Sequence, residues 1–135
     1  MEVTASYLGD SRFEVTARGH RLISDQPTDN GGADTGPTPP EFLLASLASC
    51  AAYYAAQYLN TRKLPARDLK VQVSAEKAQQ PTSRLGAFRI QVSVPGLDQR
   101  HQAGLLRAVK ACLIHNTLAH PSAIDIVIHS PALAA

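Results

Sequence analysis

The chain has no tryptophan, one methionine, two cysteines, three phenylalanines and four tyrosines. With so few aromatic residues, Ala, Leu, Val and Ile must fill the core, which implies closely packed helices. Two cysteines are too few for a disulfide scaffold, and no CxxC pair or Cys/His cluster offers zinc-ligand spacing. The 13 basic residues are scattered among 11 acidic ones, leaving a formal charge of +2 and no Lys/Arg stripe of the kind nucleic-acid binding requires. The start, MEVTASYLGD, has neither a basic n-region nor an apolar h-region, so a cytoplasmic location is expected. The longest nearly uncharged stretch, Phe42 to Asn60, is interrupted by Ser46, Ser49, Tyr53, Tyr54, Gln57 and Tyr58, which favours a buried helix over a membrane span. Internal repeats and low-complexity segments are also lacking. A length of 135 residues suits a single domain, 1–135, that buries roughly two thirds of its unfolded surface.

What is present reads as an α+β chain. Three short β-rich runs, VTASYL, RFEVTA and HRLIS, are separated by Gly9-Asp10 and Gly19 and predict an antiparallel meander. Gln26 to Pro40 is too rich in glycine and proline for either regular element, so it is a loop that something must hold in place. Pro39 and Pro40 suit the first turn of a helix, with Thr38 as its N-cap and Glu41 favoured by the helix dipole, and that helix runs to about Asn60. It is apolar on nearly all sides, so other elements or a second subunit should enclose it. Alternation over Leu69–Ala78 and Arg84–Val94 predicts a pair of strands. Asp98–His120 reads as one helix with Leu105, Leu106, Val109, Cys112, Leu113 and Leu118 near its apolar face, and Ile124–His129 as a last strand.

Both thiols fall in apolar helices, Cys50 in the first and Cys112 in the second. One reading is two small core residues, since free cysteine is among the most buried residue types. The other is redox chemistry: a thiolate attacks the O–O bond of a peroxide, and a second thiol traps the sulfenic acid before further oxidation. An attacking thiolate needs a cation beside it, because a free thiol with a pKa of ~8.5 is mostly protonated at neutral pH. Of the five histidines, His115 lies three residues after Cys112 on the same helical side, within reach of the second thiol, although it reads first as a partly exposed polar residue near a helix end.

The run GGADTGPTPPEFLLASLASC, followed by CLIHNTL and the strand IDIVI, resembles the OsmC/Ohr family, the osmotically induced and organic hydroperoxide resistance proteins, over nearly the whole chain. The resemblance implies an OsmC-like fold: an intertwined homodimer with two central helices wrapped by antiparallel sheets and active sites at the subunit interface. It also implies a thiol-dependent peroxidase that reduces organic hydroperoxides, needs no cofactor or metal, and is recycled by a dithiol reductant, either a lipoylated protein or a small thiol. Carried onto this chain, Cys50 is the attacking thiol, Cys112 the resolving thiol, Glu41 the orienting carboxylate and Arg18 the active-site arginine, with Arg21 as the other candidate. A guanidinium favours the thiolate and donates to a peroxide oxygen, and its fork needs a carboxylate to orient it.

Two positions depart from the organic hydroperoxide branch. The glutamate of that branch stands one position earlier, where this chain has Pro40, and a proline often follows the second cysteine where this chain has Leu113. A shift of one residue rotates a side chain by about 100° on a helix. The chain is therefore more similar to the OsmC-like branch. A rival expectation on the same fold is a dimer that binds an apolar ligand, or senses redox state, without turnover.

Overall fold

The computed structural model describes residues 1–134. Three strands, β1 (Thr4–Gly9), β2 (Arg12–Ala17) and β3 (His20–Ser24), form an antiparallel sheet in the order β1-β2-β3. The β2–β3 turn is the pair Arg18-Gly19, both with positive φ (51° and 85°), as a two-residue type I′ hairpin requires. This sheet packs on no helix to any extent. Of its residues only Ser24 is buried.

Helix α1 (Pro39–Thr61) begins as expected, with Thr38 as N-cap in a full capping box with Glu41 and with prolines in the first turn. By length and composition it could cross a membrane. One stripe of it, Leu47, Ala51, Ala55 and Leu59 at intervals of four, is buried in the chain. Strands β4 (Lys70–Ala78) and β5 (Arg84–Ser93) pair antiparallel, with Val73 opposite Ile90. Their half-buried residues Val71, Ile90 and Val92 pack on a core of Ala51, Ala55, Leu105 and Val109. Leu105 and Val109 belong to α2 (Gln102–Lys110), which lies along α1 after a 3-10 turn at Gln99–His101.

The α1–α2 seam is close because its residues are small. A Cβ at Gly104 would lie 2.7 Å from the Tyr58 ring, so only glycine fits there without displacing it. Across the seam the Tyr58 hydroxyl meets His101 Nδ1 at 3.2 Å, while Arg62, the C-cap of Tyr58's own helix, stacks its guanidinium 3.8 Å from the Tyr58 ring centroid.

Two expectations are corrected. The helix predicted over 98–120 is broken: α2 ends at Lys110, and α3 (Leu113–Ala119) begins afresh with Cys112 as its N-cap, in an extended conformation (φ −54°, ψ 128°). Leu105, Val109 and Cys112 keep helical spacing across the break, so periodicity alone does not reveal it. The strand predicted over 124–129 does not form: the segment has the alternating pattern but joins neither of the two sheets among the described residues, and a strand needs a ladder partner for its backbone groups. Its Ile124, Ile126, Val127 and Ile128 are exposed, Ile128 at 89%.

The chain exposes 10561 Å² of surface. A folded monomer of 14.4 kDa exposes about 6,800 Å². The excess lies on the faces of the β1–β3 sheet, the outer side of α1, where Tyr53 is exposed, and the apolar C-terminal segment.

Candidate active site

Cys50 and Cys112 come together where α1 meets the start of α3. Cys50 follows Leu47 by three residues on α1 and is half-buried, whereas Cys112 is completely buried. The Cys112 thiol is pushed above its ordinary value, first by burial and then by its hydrogen bond with Cys50. The backbone N–H of His115 donates to Cys112 Sγ at 3.4 Å and pulls partly the other way. Cys112 thus holds its proton to higher pH and can donate it as an S–H hydrogen bond to its neighbour. The sequence reading of His115 as a partly exposed residue near a helix end holds for its side chain, which sits 3.3 Å from Asn116 Oδ1. The other reading, a contact with the second thiol, is met by its backbone N–H, because Cys112 caps the helix that starts after the break.

A groove of about 670 Å³ is lined by residues one helical turn from each cysteine, though by neither sulfur itself. These are Leu47, one turn from Cys50, and His115, one turn from Cys112, while Phe88, Ile90, Val92 and Leu105 make its walls apolar. Its polar lining includes Gln102 and Lys110. Such a groove can hold the hydrocarbon part of a small molecule next to a thiol.

The charged candidates lie away from the sulfurs. Glu41 spends its carboxylate on the helix start, accepting from the Thr38 backbone N–H at 2.7 Å and the Thr38 hydroxyl at 2.9 Å. Those two bonds, the backbone one first, hold its carboxyl below the usual range. Arg21 pairs with Glu14 at 3.7 Å on the sheet surface. Among the described residues Arg18, at the exposed β2–β3 turn, pairs with no carboxylate, and no arginine hydrogen-bonds either thiol. The structure therefore joins Cys50 to Cys112 and leaves Arg18 and Glu41 apart from them. Among the described residues no group of three or more His, Cys, Asp and Glu side chains is arranged to hold a metal ion.

The loop that the sequence showed to need holding is held by Asp25, which sequence reasoning did not single out. Asp25 is completely buried. Its Oδ1 accepts from the Ser11 hydroxyl (2.6 Å) and the Gln26 N–H (2.8 Å). Its Oδ2 accepts from the N–H groups of Ala33 (3.2 Å) and Thr35 (3.0 Å) and from the Thr35 hydroxyl (2.7 Å). The Ser11 hydroxyl, then the Thr35 N–H, hold its carboxyl far below the usual carboxylate range, against the opposing effect of burial. The one available signal was the crowding of turn-forming residues in SDQPTDNGGADTG, which does not say which aspartate is the anchor.

No curated protein matches by sequence. Solved structures share the fold: a Psychrobacter arcticus protein ascribed to osmotic stress induction and detoxification response (23% identity, 88% of each chain covered, TM-score 0.77), an OsmC-like protein from Mycoplasma pneumoniae (21% identity, 89% of this chain and 87% of that one, TM-score 0.75), and the organic hydroperoxide resistance protein OhrB of Bacillus subtilis (17% identity, 89% and 90%, TM-score 0.65). At these identities the likeness speaks for the fold. The family described as OsmC-like protein matches residues 31–127, from the glycine loop through both cysteines to the C-terminal apolar segment, and the chain belongs to that family.

Proposed function

We propose that this chain is a cysteine-based peroxidase that reduces organic hydroperoxides. The observation that carries the reading is the pairing of a half-buried Cys50 with a fully buried Cys112, with Leu47 and His115, one turn from each, lining an apolar groove. The Cys50 thiolate attacks the terminal peroxide oxygen of ROOH, the O–O bond breaks, and the alkoxide takes a proton to leave as ROH. Cys50 is then a sulfenic acid. The Cys112 sulfur attacks the Cys50 sulfur, the hydroxyl leaves with a proton as water, and a disulfide forms. A dithiol, either a lipoylated protein or a small thiol, exchanges with that disulfide and returns both thiols while it becomes a disulfide itself. A reducing cytoplasm suits a resting state with both thiols free. Solved relatives described as organic hydroperoxide resistance proteins, from Legionella pneumophila and Bacillus subtilis, support the substrate class.

The working unit in this reading is a homodimer. The surface left open by one chain, some 3,700 Å² beyond the scaling for a compact monomer, doubles to about 7,400 Å² over two chains, beyond the ordinary range of obligate dimers and in keeping with an intertwined one. A second copy also provides what one chain lacks at its thiols, an arginine. Arg18 is favoured over Arg21 because Arg21 already has the Glu14 carboxylate, whereas Arg18 stands at a hairpin tip with its guanidinium unengaged by acids among the described residues.

The test counts free thiols by mass spectrometry before and after one equivalent of cumene hydroperoxide, with hydrogen peroxide in parallel. Loss of both thiols as a Cys50–Cys112 disulfide is expected. Cys50→Ser abolishes turnover, and Cys112→Ser permits one stoichiometric oxidation and then stalls. Two thiols unchanged by peroxide, or turnover retained by Cys50→Ser, sink the reading. The groove then favours the second one, a dimer that holds a small apolar ligand without turning it over.

A further inference from the structure

We infer that Asp25 is a positioning residue for Arg18, setting from the root of the β1–β3 sheet where the arginine at its tip stands; this rests on the reading of Arg18 given above. The antiparallel register places the two at opposite ends of the sheet. Phe13 faces Ser24 and Ala17 faces His20, so the β1–β2 turn and Asp25 share one end, while Arg18-Gly19 form the other. Five residues of β3 at about 3.3 Å each separate tip from root by about 17 Å.

Within one chain, side-chain packing does little to fix the angle of this arm, since the sheet packs on no helix to any extent and its faces are left for the second copy to cover. The root is pinned instead. Ser11, in the β1–β2 turn, donates to one oxygen of Asp25, and Ala33 and Thr35, in the loop that runs into α1, donate to the other. The Asp25 N–H donates onward to the Pro37 carbonyl at 3.2 Å, just before the Thr38 cap. Two glycines let the loop come this close: a Cβ at Gly32 would collide with the Gln26 carbonyl, and one at Gly36 with the Ile23 carbonyl. One carboxylate thus joins the hairpin turn, the loop and the approach to the helix that carries Cys50.

The lever makes the root matter for chemistry. A swing of about 10° at Asp25 carries the tip through about 3 Å at that length. Misplacing a catalytic group by about 1 Å can cost on the order of 10²-fold in rate. A guanidinium moved that far no longer favours the thiolate it is meant to face.

The experiment measures the rate of Cys50 alkylation by iodoacetamide against pH in the full-length protein, with each site resolved by mass spectrometry. It compares wild type, Arg18→Ala, Asp25→Asn and the double variant. Arg18→Ala should slow alkylation about tenfold at about pH 6, with the deficit closing as the solution becomes alkaline. Asp25→Asn should reproduce most of that loss and the same pH profile, and the double variant should be no slower than Arg18→Ala alone. An unchanged profile in Asp25→Asn beside a shifted one in Arg18→Ala overturns the inference and spares the reading of Arg18, as does an additive double variant. An unchanged profile in Arg18→Ala overturns both. If Asp25→Asn fails to fold, Ser11→Ala, which removes only the turn's bond to the carboxylate, takes its place: a smaller shift of the same form supports the inference, and an unchanged profile overturns it.

Discussion

The β4–β5 hairpin presents Val71, Ile90 and Val92 to the α1–α2 core, whereas the β1–β2–β3 sheet meets the rest of the chain chiefly through a buried carboxylate and its five donors. The two sheets are alike as ladders and differ in attachment. Apolar contacts are non-directional and add up with area, so they give the body its stability. Hydrogen bonds to a fixed carboxylate contribute less but specify direction, so they give the arm its orientation. A change in the first kind of attachment should unfold the molecule, and a change in the second should misdirect it.

The largest separation of the two regions should come from Leu59→Ala, which empties a fully buried position on α1. A loss of about 2–5 kcal/mol is expected in denaturant unfolding, while the protection of the Ala33 and Thr35 amides from hydrogen exchange survives to the same local extent below the transition. Early loss of those amides would mean that the arm is held by the core after all. Next in size is Thr38→Ala, which removes the N-cap hydroxyl where arm and body meet. About 1 kcal/mol should go, with Glu41 left to accept only the backbone N–H of residue 38. Thermal unfolding of Thr38→Ala beside Glu41→Ala checks this, and additive losses would show that the two are not one capping box.

The smallest effect on global stability should be the effect of acid. The Asp25 carboxyl is held below its usual range, so its contribution is fully present above the ordinary value near ~3.9 and is lost as pH falls below that toward the native value. Arg12 and Asp10 line the same small cavity, so their charges also face it. Hydrogen exchange at Ala33 and Thr35 should stay slow, after correction for intrinsic rates, down to about pH 4, and should rise before the amides of α1 are released. Release of the arm near neutral pH would remove Asp25 as its tie.

What the sequence made legible follows from range. The three-strand meander, the start of α1 at Thr38 and the β4–β5 pair rest on local alternation and capping, and all three are present. The break at Cys112 rests on a single extended ψ with no glycine or proline nearby to mark it, so the helix was predicted to run through. The last strand was legible as a pattern, but a ladder also needs a partner, and residues 124–129 join the open edge of neither described sheet. At the site, both cysteines stood out by rarity, and their meeting required the α1–α3 packing that no spacing reveals. Asp25 was hidden because its donors come from residues 11, 26, 33 and 35, a constellation that is clear only once the loop has closed.

The narrow seam between α1 and α2 bears on how this chain can drift over generations. At Ala51, Ala55 and Gly104 the admissible residues are set by bulk and not by greasiness, because the opposite helix or the Tyr58 ring already occupies the space a larger side chain would take. Exchange of alanine for valine there, which a hydropathy scale scores as an improvement, pushes two helices apart and with them the pair of sulfurs whose elements lean on that spacing. The rim of the seam is free to wander in composition, while its centre is confined to the smallest side chains available.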